Sequence, residues 1–80
     1  MHHRTSLEIG QTIKKARKML NLRQCDVAFA SGTGTRFIVD LEKGKETCQL
    51  GKVLHICHML GISINLQLPD VKNMEKIHGK

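Results

Sequence analysis

Aromatic residues are almost missing from this 80-residue chain: Phe29 and Phe37 are its only two, with no tryptophan or tyrosine. RNA loops and single strands are commonly held by stacking bases on aromatic rings, and this chain is poorly equipped for that. Cysteine is also scarce. Cys25, Cys48 and Cys57 are too few and odd in number for a secreted disulfide framework, which points to a reducing, cytoplasmic setting. No apolar run approaches the roughly 20 residues of a membrane span. The basic start at residues 1–4 is not followed by the apolar core and cleavage site of a secretion signal.

Acidic residues are few as well, 7 against 13 Lys plus Arg, leaving a net charge of +6. Such an excess favours an anionic partner, nucleic acid or an acidic membrane surface, and charge alone does not choose between them. At this length the expectation is one small domain and not a multidomain enzyme. A domain this small buries only about two-thirds of its unfolded surface, so a disulfide, a metal or a second subunit is expected to complete it.

What is present reads mainly as helix. Thr5 and Glu8 have capping-box spacing, and Ile9, Ile13, Ala16 and Leu20 follow at helical intervals, which predicts a first helix over about residues 6–20. Lys14, Lys15, Arg17 and Lys18 fall on its other face, either as a solvated surface or toward phosphates. Cys25, Val27, Ala28 and Phe29 suggest a second helix stopped by Gly32. Thr33 or Gly34 can cap a third, with Ile38 and Leu41 inward and Gly44 after its end. Thr47 can cap a fourth, whose apolar stripe would be Leu50, Val53, Leu54, Cys57 and Leu60 before Gly61.

The period then changes. Ile62, Ile64, Leu66 and Leu68 alternate with Ser63, Asn65 and Gln67 until Pro69, which predicts a strand. No second alternating run exists to pair with it, so its partner is expected to be the same strand in a second copy, antiparallel about a two-fold axis. The other reading is an extended tail packed on its own helices. After Pro69 the chain is polar, and Val71, Met74 and Ile77 recur at every third position, a pattern suited to ordering on a partner.

Two helices joined by a short glycine-containing turn in a basic domain suit a major-groove reader. The residues Leu22-Arg23-Gln24-Cys25-Asp26-Val27-Ala28, Gly32, Ile38, Leu41-Glu42-Lys43-Gly44-Lys45 and Leu60-Gly61-Ile62 resemble the Cro/C1 (XRE) helix-turn-helix family over about residues 9–62. The strand after the fourth helix, with Arg36-Phe37-Ile38 and the Glu-Lys-Gly-Lys turn, most resembles the HipB-type antitoxins, which repress their own operon and bind a HipA-like kinase toxin. The resemblance implies an all-α domain of four to five short helices around a central helix-turn-helix, plus the dimerising strand. The expected organisation is an N-terminal extension at 1–5, the DNA-binding domain at 6–61, the dimerisation strand at 62–68 and a polar tail at 69–80.

Arg23 departs from the family, which usually has Thr or Ser as the cap there; the cap is then weaker or comes from Asn21. Gln24 matches the position that binds a phosphate at the start of the second helix, where unpaired helix-end amides suit an anion. Arg36 can reach guanine O6 and N7 with its fork, or hold only phosphate. Thr35 and Val39 share that face and offer hydroxyl and methyl contacts to base edges. Asp40 repels phosphates unless it accepts from cytosine N4 or pairs with a cation such as Arg36. The base-contact set is thus Thr35, Arg36, Val39 and Asp40, and the phosphate set Arg23, Gln24, Gly34, Lys43 and Lys45. Phe37 is either the edge of the core or a wedge beside the backbone. Glu42 matches a family position that buttresses the turn.

An enzyme has little material here. His55, Cys57, His58 and Cys48 lack the paired spacing of zinc ligands, and His55 points to the other side of its helix from Cys57. No glycine-rich phosphate loop or catalytic spacing is found. The expectation is a non-enzymatic, cofactor-free homodimer that binds an inverted-repeat duplex operator, with a HipA-like kinase toxin as partner. The alternative is an adaptor of the same fold that binds another protein and has weak or lost DNA binding.

Overall fold

The computed structural model describes residues 2–69. Four helices follow one another, α1 (His2–Met19), α2 (Gln24–Ser31), α3 (Thr35–Glu42) and α4 (Leu50–Met59), and no strand occurs among the described residues. α3 packs against both α1 and α2, and α4 packs against α2. The core between them is aliphatic: Ile13, Val27, Ile38 and Ile56 are fully buried, with Ala28, Leu41, Val53, Cys57 and Leu60 around them. Removing the side chain of any of the large members would cost about 2 to 5 kcal/mol through lost burial and an unfilled cavity. Burial also pushes the Cys57 thiol up from its ordinary pKa.

One device ends all four helices. Asn21, Gly32, Gly44 and Gly61 each take a left-handed backbone, with φ of 59°, 73°, 89° and 76°. The amide of the following residue returns to a carbonyl five positions back: Leu22 to Arg17, Thr33 to Ala28, Lys45 to Asp40 and Ile62 to Cys57, at 2.9 to 3.1 Å. A carbonyl in the last turn of each helix is thereby satisfied. The expected stops at Gly32, Gly44 and Gly61 hold. Asn21, which the sequence offers as a cap for the second helix, closes the first. Gly44 is also constrained from outside, since a Cβ there would lie 2.9 Å from Leu7 Cα.

The helix starts differ more from expectation. α1 begins at His2, so Thr5 lies within the helix and not before its first turn. α3 is capped by Gly34 and α4 by Gln49, both through extended backbone and without a side-chain bond; Thr47 sits exposed in the preceding turn. Leu20, Leu50 and Leu54 are also exposed, at 52%, 68% and 44%, and Ile56 takes the buried place expected of Leu54. The buried side of α4 is Val53 with Ile56 and Cys57, three and four residues on, followed by the capping Leu60.

Residues 62–69 form neither helix nor ladder in the single chain. A ladder needs a second strand, and none of the described segments supplies one. Ile62 packs on the core, whereas Ile64, Leu66 and Leu68 are 45%, 92% and 90% exposed, so the alternating apolar row does not close on the chain's own helices. Val71, Met74 and Ile77 lie outside the described residues.

Candidate nucleic-acid interface

α2, the turn at Gly32 to Gly34 and α3 form a helix-turn-helix, with its second helix braced by α1 behind. Gly10 makes that bracing close. It is buried in α1, and a Cβ added there would meet the Leu41 carbonyl oxygen at 2.3 Å. Only a residue without a side chain lets α1 approach the end of α3 this nearly.

The same crossing holds a buried ionic cluster. Arg17 is 7% exposed and joins Glu42, also 7% exposed, through Nε to Oε2 at 2.6 Å and Nη2 to Oε1 at 3.0 Å. Its Nη1 donates to the Leu22 carbonyl at 2.8 Å, just before α2. The hydrogen bonds to Glu42 hold the Arg17 pKa above its ordinary value. Arg17 therefore does not belong with Lys14, Lys15 and Lys18 on the outer face, all three of which are exposed. The sequence did carry a signal. Arg17 stands four residues after Ile13 and Glu42 four after Ile38, so each interrupts an apolar stripe with opposite charge.

Gln24 opens α2 and donates from Nε2 to Glu42 Oε1 at 3.0 Å. This contact fixes the amide plane and leaves a second N–H beside the start of the helix. Arg23 precedes it as the cap. A guanidinium has no acceptor, so the capping role passes to Asp26, whose Oδ2 accepts from the Arg23 main-chain N–H at 2.8 Å. The Arg23 side chain folds onto the same carboxylate, Nε to Oδ2 at 3.3 Å, and remains largely exposed. Both bonds draw the Asp26 pKa below its ordinary value.

Along α3, Thr35 and Arg36 are exposed, while Val39 and Asp40 are half-buried. The Arg36 side chain is 87% exposed, and its Nε contacts Asp40 Oδ1 at 3.4 Å. The second oxygen of Asp40 lies 3.6 Å from Lys45 Nζ. Asp40 thus lies beside two cations, Arg36 and Lys45, the first of which the sequence also offers as its partner. Lys43 and Lys45 are exposed on the turn after α3, and Gly34 is open, with nothing within 4 Å of a Cβ position. Phe37 forms the edge of the core, with Lys52 Nζ 5.6 Å from its ring centroid.

The structure thus gathers Gln24 with Glu42 and Arg17, and Arg36 with Asp40 and Lys45. It leaves Arg23 paired with Asp26. Among the described residues no group of three or more His, Cys, Asp or Glu side chains converges on a point that could hold a metal. No helix among them is long and apolar enough to cross a membrane.

No protein-family profile matches the chain. It is 48% identical over 66 residues to the uncharacterised HTH-type transcriptional regulator y4mF of Sinorhizobium fredii, an overlap that covers 82% of this chain and 87% of that protein.

Proposed function

The chain belongs to the family of HTH-type transcriptional regulators, and on that premise we propose that it is a sequence-specific duplex DNA-binding repressor. The observation that carries the reading is the exposed side of α3, with Thr35 and Arg36 turned to solvent and Lys43 and Lys45 following on the next turn. A helix held at its rear by the buried Ile38 and Leu41 can present its outer side to a major groove. Thr35, Arg36, Val39 and Asp40 would face base edges. Arg23, Gln24, Gly34, Lys43 and Lys45 would meet phosphates on either side.

The finer proposal is a Cro/C1 (XRE) type protein, closest in pattern to the HipB-type antitoxins, working in the cytoplasm without catalysis or cofactor. The exposed row of Ile64, Leu66 and Leu68 supports dimerisation through residues 62–68, because it offers both unpaired backbone and unburied apolar side chains. A two-fold dimer would read an inverted repeat with half-sites about one helical turn, or a multiple of it, apart. The HipA-like kinase partner rests on the sequence resemblance. In this division residues 6–61 bind DNA, residues 62–68 dimerise, and residues 1–5 and 69–80 flank them.

Selection from a randomised duplex pool, followed by sedimentation of the full chain and of a chain ending at Gly61, tests the proposal. A recovered inverted repeat, a dimeric full chain and a monomeric or insoluble truncation are expected. Recovery of no common sequence would reject the DNA reading and favour the adaptor, and an unchanged dimer after truncation would reject the strand. Copurification with the products of neighbouring genes tests the toxin assignment, which fails if no kinase-like protein is retained.

A further inference from the structure

Among the residues assigned to the DNA face, Asp40 is the acidic one, and its two carboxylate oxygens are divided between two cations with different tasks. Oδ1 accepts from Arg36 Nε at 3.4 Å across one helical turn, and Oδ2 stands 3.6 Å from Lys45 Nζ. The main chain reinforces the arrangement, since the Lys45 N–H donates to the Asp40 carbonyl at 3.1 Å in the left-handed turn after α3. Asp40 and Lys45 are therefore held together by backbone as well as by charge.

A carboxylate that faces a polyanion repels it and lowers affinity for any duplex. The chemistry of this contact offsets that cost selectively. Pairing through Nε leaves the terminal Nη1 and Nη2 groups of Arg36, the fork that fits O6 and N7 of guanine. A guanine in the right position completes the fork without breaking the contact to Asp40. A phosphate must compete with Asp40 for Arg36 and for Lys45, so the acid weakens contacts to the wrong sequence more than contacts to the right one.

We propose that Asp40 is a specificity-determining positioning residue: it presents the Arg36 fork to a guanine and restrains Arg36 and Lys45 from binding phosphate indiscriminately. The inference rests on the duplex-DNA reading above.

The test compares the full chain with Asp40→Asn and Asp40→Glu. The probes are a duplex recovered by the wild-type chain from a randomised pool, its variant with the guanine replaced, and a mixed-sequence duplex of equal length, each titrated by fluorescence anisotropy at several salt concentrations. Asp40→Asn is expected to bind the mixed-sequence duplex about three- to tenfold more tightly, with a salt slope steeper by about one. It is also expected to lose about tenfold of the preference for guanine. Asp40→Glu keeps the charge and can still reach Arg36 one turn away, so it should recover most of that preference. Both variants should keep unfolding midpoints within a few degrees of wild type, since the cations paired with Asp40 are largely exposed.

Asp40→Asn that binds all three duplexes with unchanged or equally changed affinity overturns the proposal, as does a loss of binding that merely follows a loss of folded protein. A wild-type chain that recovers no common sequence overturns it together with the DNA reading. A recovered sequence that Asp40→Asn discriminates as well as wild type does overturns the role of Asp40 alone.

Discussion

Arg17 and Glu42, 25 positions apart in the chain, close on each other as a two-pronged ion pair at 2.6 and 3.0 Å, with both side chains nearly out of water. Through Gln24 and the Leu22 carbonyl the pair also reaches the start of α2, so one buried cluster ties α1, α2 and the end of α3 together. Removing one partner strands the other charge in the interior, which costs more than the pair's own net contribution. Arg17→Ala should therefore lower stability by about 3 to 5 kcal/mol. The double replacement Arg17→Met with Glu42→Leu should cost clearly less than the sum of the two single changes. Urea denaturation of the four proteins measures this coupling, and strictly additive losses would show that the two charges stand independently.

Gly10 and Gly51 should respond to alanine with opposite signs. A Cβ at Gly10 would meet backbone, the Leu41 carbonyl oxygen at 2.3 Å and that of Glu42 at 2.9 Å, so Gly10→Ala must push α1 off α3. A loss of about 1 to 3 kcal/mol is expected from such overpacking. Gly51 lies in α4 with nothing within 4 Å of its Cβ position. Gly51→Ala should gain about 0.5 to 1 kcal/mol from the smaller backbone entropy loss in the helix. Thermal unfolding of the two variants decides the matter, and a stable Gly10→Ala protein would mean that the helices are not in close contact.

These two cases show how far the sequence could be read. Helix existence and the stops at Gly32, Gly44 and Gly61 are readable because glycines at left-handed positions are locally determined, whereas the stop at Asn21 is not, and Ile13, Ile38 and Val53 fall inward as their periodicity requires. Helix starts were not, because Gly34 and Gln49 cap through backbone geometry alone and leave no side-chain signature. Arg17 reads as an outer-face residue because its neighbours in sequence are lysines. Its true partner lies in another helix, and such a long-range pairing shows in one chain only as a charge at an apolar position. At Asp40 the sequence offers a cytosine contact or a cation partner, and the structure adds the positions of Arg36 and Lys45 beside its carboxylate.

Asp26 ties acid sensitivity to the start of α2. Its hydrogen bonds from the Arg23 main chain and side chain hold the carboxyl below its ordinary value of 3.8 in the folded chain. A group whose pKa is lower folded than unfolded contributes stability that is present above the unfolded value and is lost as pH falls through the folded one. The prediction is an Asp26 carboxyl midpoint below 3.8 by NMR titration, and a weaker acid dependence of stability in Asp26→Asn. A midpoint at or above the ordinary value would contradict the capping role.

Arg36 and Lys45 should separate base reading from phosphate binding. Arg36→Ala is expected to cost about 1 to 3 kcal/mol per half-site on the selected duplex, with relaxed preference at one base pair. Lys45→Ala should weaken selected and mixed-sequence duplexes alike. Equal losses on both duplexes for Arg36→Ala would make it a phosphate clamp.

The claim that this is a duplex DNA-binding regulator is tested most directly by the salt dependence of duplex affinity, measured by anisotropy across a series of salt concentrations. The account predicts a linear fall of log affinity with log salt, at about 0.9 for each phosphate neutralised, flattened by about one in Lys45→Ala. A folded chain whose duplex affinity is absent, or does not change with salt, would contradict it.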